Sequence, residues 1–95
     1  MHVISRKSLH LFSAIHANAE ASLDTWYRAT KAAQWKSLAE LNLIFPSADL
    51  VGRFTVFNIK GNHYRLIAEI NYRSGTVFVR HILTHENYDK GNWKL

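Results

Sequence analysis

The segment VRHILTHENYDK, residues 79–90, concentrates side chains that can take part in chemistry. His81 and His85 are four residues apart, which is the spacing of a metal-binding pair on a helix. Tyr88 lies three residues beyond His85, and a phenol can transfer a proton or stack on a base. These residue types are compatible with a metal site, with a phosphate-handling site, or with an ordinary surface.

The hydrophobic pattern before His85 argues against the metal site. Residues 76–83, TVFVRHIL, alternate with period 2 and are rich in β-branched and aromatic side chains, which predicts a strand. Residues four apart on a strand are separated by about 13 Å, so one ion cannot bind both rings. Neither Glu86 nor Asp89 has a spacing that suggests a third ligand, and the chain has no cysteine. We therefore expect His81 on the sheet, His85 beyond its end, and no metal or other cofactor.

Phosphate chemistry uses a different set of groups. Metal-independent cleavage of RNA needs a base for the ribose 2′-OH, cations for the charge that develops on the phosphate, and an acid for the leaving 5′-oxygen. The candidate cations are Lys60, Arg65 and Arg80. The candidate proton carriers are His81, His85 and Tyr88. Each has an ordinary alternative, because strand arginines are often solvated, single histidines usually pack, and a tyrosine near the end of the chain can pin that segment to the core.

His85 is the preferred proton carrier because it follows the last strand, where a side chain can lean over the exposed face of the sheet. Tyr88 would share its side if HENYDK forms a helical turn, and would then orient the base or donate a proton. His81 is a weaker candidate, since the alternation groups it with Val77, Val79 and Leu83 on an apolar face. His63 falls in a predicted turn and is weaker still.

Length and composition limit the class of protein. A chain of 95 residues is long enough for one domain and too short for two, so a single domain over residues 1–95 is predicted. No apolar run approaches the roughly 20 residues of a membrane span, and the N-terminal residues lack the pattern of a secretory signal. The absence of cysteine suits a reducing compartment. We predict a protein of the cytoplasm that does not enter the membrane.

The positive charge is concentrated in the second half of the chain. Residues 53–95 hold seven Lys and Arg against three Asp and Glu, a net of +4, whereas residues 1–52 hold five against four, a net of +1. The basic half also contains all the tyrosines except Tyr27. This balance favours a polyanion as partner, although a modest excess of this size also occurs without one.

The first half is predicted to be helical over about residues 5–46, after a short strand in MHVIS. Ser5 or Ser8 can cap the first helix, and Asn18 opens a second helix over residues 19–33. The residues at helical spacing on the first helix are Leu9, Phe12 and His16. In SLAE, from Ser37 to Glu40, the pattern of a capping box begins a third helix, which Pro46 ends.

From Arg53 the hydrophobic period changes to 2, which predicts the three strands RFTVFNI, YRLIAEINY and TVFVRHIL. GN at 61–62 and RSG at 73–75 indicate tight turns between them. The strands then form an antiparallel meander over about 53–83, followed by a C-terminal segment, 84–95. Helices first and strands second imply an α+β domain with the helices packed on one face of the sheet.

Several segments, in order along nearly the whole chain, resemble the HigB-type toxins of type II toxin–antitoxin modules, which belong to the RelE-like superfamily of mRNA interferases. The segments are MHVISRK, WYRATKAAQWKS, FPSADLVG, VFNIKGNHYRLIAEINY and VRHILTHENYDKGNW. The resemblance implies a RelE-like α+β fold, with N-terminal helices packed on a twisted antiparallel sheet of about four strands. It also implies an endoribonuclease that cleaves mRNA on the translating ribosome and is neutralised by a helix-turn-helix antitoxin, with DNA reached only through that antitoxin.

RelE-like toxins place basic residues on the central strands and a basic or aromatic residue near the C-terminus. By this resemblance the expected catalytic residues are His85, Tyr88, Arg65 and Lys60. The further residues expected to bind RNA or phosphate are Arg80, Arg73, Lys90, Asn58 and Asn62. The chain departs from the pattern because its C-terminal position offers a histidine and a tyrosine without the second lysine and arginine cluster of some relatives, which leaves the identity of the base open.

Two other functions use the same basic sheet. One is a non-catalytic RNA- or ribosome-binding module on the same fold, and the other is a domain whose basic face docks an acidic protein. Only the nuclease needs a group that transfers protons. Expression in bacteria distinguishes them, because a nuclease toxin arrests growth and cuts messages whereas a binder need not.

Overall fold

The computed structural model describes residues 1–94, so the C-terminal segment predicted over 84–95 is described except for Leu95. The strands are β1 (His2–Ile4), β2 (Asp49–Val51), β3 (Phe54–Ile59), β4 (Tyr64–Asn71) and β5 (Thr76–Thr84). The α-helices are α1 (Arg6–Ile15), α2 (Glu20–Ala32), α3 (Leu38–Ile44) and α4 (His85–Lys90). Short 3-10 turns occupy Ala17–Ala19 and Asn92–Lys94. None of the helices in this part of the chain is long and apolar enough to cross a membrane.

The capping box predicted for the third helix is present with one difference. The Ser37 hydroxyl accepts the backbone N–H of Glu40 at 3.3 Å. The Glu40 carboxylate in turn accepts the backbone N–H of Lys36 at 3.1 Å, one residue before the usual partner. The helix ends at Ile44, as expected from Pro46, which cannot donate a backbone hydrogen bond and restricts the residue before it.

The prediction that Asn18 opens the second helix is wrong. The 3-10 turn at Ala17–Ala19 leads directly into α2, and the N-cap of α2 makes no side-chain hydrogen bond. Asn18 instead accepts a hydrogen bond from the Tyr64 hydroxyl, because the sharp corner between α1 and α2 turns its side chain toward the sheet. Ser5 does occupy the N-cap of α1, but its hydroxyl bonds the hydroxyl of Ser8 at 2.9 Å rather than the backbone.

The strands form a five-stranded sheet in the order β1-β5-β4-β3-β2. The antiparallel meander of β3, β4 and β5 was predicted, and β1 joins its edge in parallel with β5. About four strands were expected; the additional one is β2, which pairs antiparallel with β3. With only three residues, β2 is too short to show an alternating pattern, which is why the sequence did not predict it.

The two faces of the sheet carry separate apolar clusters. On the face that we call the helical face, α1, α2 and α3 pack on the sheet around buried Trp26, Phe57 and Leu66. On the opposite face, which we call the outer face, a smaller cluster forms where the C-terminal segment folds back. Its buried members are Phe54, Val56, Ile67 and Trp93. The architecture is therefore α+β with helices on one face, as predicted.

A β-bulge in β5 changes which side chains share a face. Ile67 pairs with His81 and the next residue, Ala68, pairs with Val79, so Arg80 has no partner in the ladder. The prediction that His81 shares an apolar face with Val77 and Val79 is therefore wrong. Both valines belong to the core of the helical face, whereas His81 lies beside Ile67 on the outer face, because one extra residue shifts the alternation by one position.

Candidate active site

The β3–β4 turn and the start of α4 meet at one end of the sheet, which we call the turn end. Arg65 lies opposite Asn58 on the neighbouring strand. Both side chains lie on the outer face, because each is two residues from a member of the outer cluster, Ile67 and Val56. Tyr64 lies opposite the last residue of β5, which brings α4 directly beside the turn. The backbone N–H of His85 donates to the carbonyl of His63 at 3.0 Å and joins the helix to the turn.

The local sequence explains why a helix begins at this point. The Thr84 hydroxyl accepts the backbone N–H of Asn87 at 3.2 Å, which satisfies one of the free amides at the start of α4. Gly91 ends the helix in the left-handed conformation, with φ of 76°. Glu86 in the first turn and Lys90 in the last turn complement the helix dipole. This one short helix therefore sets the positions of the candidate groups that follow the strand.

Arg65 and Tyr88 form a stacked pair on the outer face. The Arg65 guanidinium lies 5.3 Å from the centre of the Tyr88 ring, and its Nη1 donates to the carbonyls of Asn62 at 3.1 Å and Tyr64 at 3.2 Å. Tyr88 stacks on Trp93 with centroids 5.2 Å apart. Tyr88 thus has the packing role that a tyrosine near the end of the chain often has, which is to hold the C-terminal segment on the sheet. It also contacts Arg65, a candidate phosphate-binding cation.

His85 has a carboxylate partner that was not predicted from the sequence. Its Nδ1 lies 3.0 Å from Oδ2 of Asp89, one helical turn further along α4, and both side chains are about half exposed, at 51% and 59%. An acceptor at Nδ1 favours the tautomer that carries its proton there, which leaves Nε2 able to accept one. In the sequence, Asp89 stands out only as a possible metal ligand. Its spacing of four from a histidine within HENYDK is the signal that could reveal the pair.

An open cavity of about 610 Å³ lies at the turn end, between the end of α1, the β3–β4 turn and the start of α4. The residues around it include His16, Lys60, Asn62, His63, Thr84 and His85. Lys60 is exposed and has a positive φ of 52°, which helps to reverse the chain. The His63 ring is held against the turn by a 2.9 Å hydrogen bond between Nδ1 and the Lys60 carbonyl. The predicted site residues Lys60, Asn62 and His85 therefore share this cavity.

Arg80 belongs to a separate group of charges on the outer face. Its Nε lies 3.0 Å from Oε1 of Glu69, and the Nε of Arg53 lies 3.5 Å from the same oxygen. Glu69 is four residues beyond Arg65 on β4, which separates the two groups by about 13 Å. Neither Glu69 nor Arg53 was predicted from the sequence as a neighbour of Arg80. The shared face of Arg65 and Glu69 could be inferred from the alternation. Arg53 is the first residue of the predicted strand RFTVFNI but precedes β3 in the structure, so the alternation gave no sign that it lies near Arg80.

The remaining predicted residues are more dispersed. Arg73 lies in the β4–β5 turn, at the other end of a β4 strand of eight residues, so it is more than about 20 Å along the sheet from the turn end. Lys90 is exposed at the last residue of α4. His81 is half-buried on the outer face. Within residues 1–94, no group of three or more His, Asp or Glu side chains is arranged to hold a metal ion.

Comparison with known proteins identifies the family. The family described as "HigB_toxin, RelE-like toxic component of a toxin-antitoxin system" matches residues 19–91. The chain is 31% identical over 93 residues to the mRNA interferase HigB of Escherichia coli O6:H1 (strain CFT073), an alignment that covers 95% of this chain and 90% of the relative. It is 27% identical over 92 residues to the mRNA interferase toxin HigB of Escherichia coli (strain K12), covering 94% and 88%. The same values hold for the mRNA interferase HigB of Shigella flexneri. The chain therefore belongs to the HigB toxin family, whose members are RelE-like toxic components of toxin–antitoxin systems.

Proposed function

We propose that the chain is an endoribonuclease that cleaves mRNA on the translating ribosome and so blocks translation in the bacterial cytoplasm. Its family and the names of its relatives, which are mRNA interferases, support this function. The structural observation that carries it is that α4 holds both His85, which borders the turn-end cavity with Lys60, and Tyr88, which stacks on Arg65. Candidates for the base, the cations and the acid that RNA cleavage requires therefore come from neighbouring elements at one end of the sheet.

The proposed reaction is attack of the ribose 2′-oxygen on the adjacent phosphorus. His85 Nε2 removes the 2′-OH proton while Asp89 holds the opposite ring nitrogen. The 2′-oxygen–phosphorus bond forms and the bond from phosphorus to the 5′-oxygen breaks, with Tyr88 as the group that donates a proton to the leaving oxygen. Arg65 and Lys60 stabilise the negative charge that develops on the phosphate. The products are a 2′,3′-cyclic phosphate and a free 5′-hydroxyl.

We further propose that no metal ion takes part and that a helix-turn-helix antitoxin neutralises the protein. The cations at the turn end supply the charge stabilisation that a metal would otherwise give. An antitoxin with an acidic segment would complement the +4 balance of residues 53–95, and DNA would be contacted only by the antitoxin. Co-expression of the antitoxin with the chain should then restore growth that the chain alone arrests.

Cleavage of ribosome-bound mRNA by the purified protein tests this function. The protein is first dialysed against a chelator and then added to programmed ribosomes in a buffer that contains only magnesium, because ribosomes themselves require that ion. Primer extension should reveal cuts within the translated message, and the 3′ fragments should carry a 5′-hydroxyl. Activity that is lost on chelation and restored by zinc or manganese would contradict the metal-free chemistry. Ribosome binding without any cut would instead favour the non-catalytic binding module.

A further inference from the structure

The cavity at the turn end has one wall that the proposed reaction does not use. His16, at the end of α1, stacks on Phe12 with ring centroids 4.4 Å apart and an interplanar angle of 26°. Its ring also lies 5.5 Å from that of Tyr64. These contacts hold the His16 ring in place while part of it still faces the cavity, since the side chain is only half-buried.

The backbone around His16 is equally fixed. Its N–H caps α1 by donating to the Phe12 carbonyl at 2.8 Å. The neighbouring Asn18 accepts a hydrogen bond from the buried Tyr64, which joins the end of α1 to the first residue of β4. A flat ring that is held by both its backbone and its neighbours is a preorganised stacking surface, because little conformational freedom is lost when a ligand binds to it.

Polar and charged side chains also border the same cavity. Lys60 supplies a cation from the turn, and the His63 ring is restrained by its hydrogen bond to the Lys60 carbonyl. His85, the proposed proton carrier, also borders the cavity. A volume of about 610 Å³ accommodates one planar base with its sugar, and it lies within the range of small-molecule sites. An aromatic wall beside a cation is the combination that binds a base together with its phosphate.

The geometry points to a nucleobase-binding subsite in this cavity. The base of the nucleotide next to the cleaved phosphate stacks on His16, and the phosphate of that nucleotide lies against Lys60. This proposal rests on the proposed function, because it assumes that the ligand is a single strand of RNA whose cleaved bond lies at His85. His16 acts by stacking and takes no part in proton transfer.

Three substitutions separate stacking from packing. His16→Phe keeps a flat aromatic ring, His16→Leu keeps apolar volume without a ring face, and His16→Ala removes both. His10→Ala is the matched control, because His10 is an exposed histidine on the same helix and does not border this cavity. Circular dichroism and thermal unfolding of each variant check that the fold is kept. The probe is a set of short 2′-O-methyl RNAs, which cannot be cleaved, with binding followed by fluorescence anisotropy.

His16→Ala and His16→Leu should each bind the probe roughly 5- to 150-fold more weakly, which is the range for removing the aromatic ring under one stacked base. His16→Phe and His10→Ala should bind within about twofold of the original chain. Equal binding by all four variants would overturn the subsite, and so would equal weakening in His16→Leu and His16→Phe. A chain that binds with this dependence on His16 but cuts no message would retain the subsite and refute the proposed nuclease function.

Discussion

Trp93 should be the residue that holds α4 and the C-terminal segment on the sheet. Its side chain is 5% exposed, meets Phe54 edge-on at 5.7 Å, and stacks on Tyr88 at 5.2 Å. Its Nε1 donates to the Tyr88 carbonyl at 3.0 Å. Each aromatic pair is worth about 0.5–1.5 kcal/mol beyond the buried area, and the hydrogen bond adds about 0.5–1.5 kcal/mol.

Because Trp93→Ala removes these interactions and the burial of the indole, it should fall within the usual range for a buried tryptophan, a destabilisation of about 3–5 kcal/mol. That is a large share of the roughly 5–15 kcal/mol that stabilises a small domain. Trp93→Phe keeps a ring between Phe54 and Tyr88 and removes mainly the indole hydrogen bond, so it should cost about 1–2 kcal/mol. Urea unfolding measures both values as changes in the free energy of unfolding.

Hydrogen exchange shows where the destabilisation acts. Trp35→Ala is the matched control, because Trp35 is also buried, at 4% exposed, but packs in the core of the helical face. Trp93→Ala should expose the amides of α4 to exchange well before global unfolding, whereas Trp35→Ala should not do so selectively. A cost below about 1 kcal/mol for Trp93→Ala, or identical exchange of α4 in the two variants, would refute this role.

Three further predictions concern pH, backbone strain and charge. Burial raises the pKa of Tyr72 above its ordinary 10.0, while a side-chain hydrogen bond with Thr55 opposes the increase. The unfolded chain therefore loses the Tyr72 proton at a lower pH than the folded chain, so the contribution of neutral Tyr72 to stability is complete below about pH 10 and is lost as the pH rises through the folded pKa. The free energy of unfolding in urea should fall less with increasing pH in Tyr72→Phe than in the original chain, and an equal fall would contradict the shift. Gly91→Ala should cost about 1–2 kcal/mol because of its φ of 76° alone, since a Cβ at this position would meet no atom within 4 Å; an unchanged melting temperature would be evidence against it. Arg65→Ala and Arg80→Ala should each reduce the salt dependence of RNA binding by about 0.7 in log–log slope for every phosphate that the arginine neutralises. Arg28→Ala should leave the slope unchanged, because Arg28 is an exposed arginine of α2 that pairs with Asp24. A slope unaffected in both test variants would exclude phosphate binding by Arg65 and Arg80.

Much of the fold follows from local patterns in the sequence. The apolar spacing alone predicted α2 over 19–33, against Glu20–Ala32 in the structure, because a long amphipathic pattern is a strong signal. The meander was also predicted from local patterns, because its turns contain Gly61 and Gly75, which both have a positive φ. The elements that were not predicted depend on distant pairing. β2 exists because its three residues meet β3, and nothing in those residues alone requires a strand.

The arrangement of the candidate site could also be predicted only in part. Residues near one hairpin turn and the end of the next strand must lie close together in a meander, so the grouping of Lys60, Arg65, His85 and Tyr88 at the turn end could be anticipated. The position of Arg80 could not, because the bulge that leaves it unpaired in the ladder arises from the register of β4 with β5. Neither could the role of His16 as a cavity wall, since helical spacing grouped it only with packing residues.

The rate of mRNA cleavage by His85→Ala under single-turnover conditions tests the central claim most directly. His81→Ala is the matched control, because His81 is a second histidine of the same segment but lies on the outer face and does not border the turn-end cavity. General acid–base help contributes about 10²–10⁴ in rate, so His85→Ala should cut bound mRNA slower by that factor while its affinity for ribosomes stays unchanged. His81→Ala should cut at nearly the original rate in the folded fraction. A His85→Ala protein that cuts at the full rate would contradict the assignment of His85 as the proton carrier.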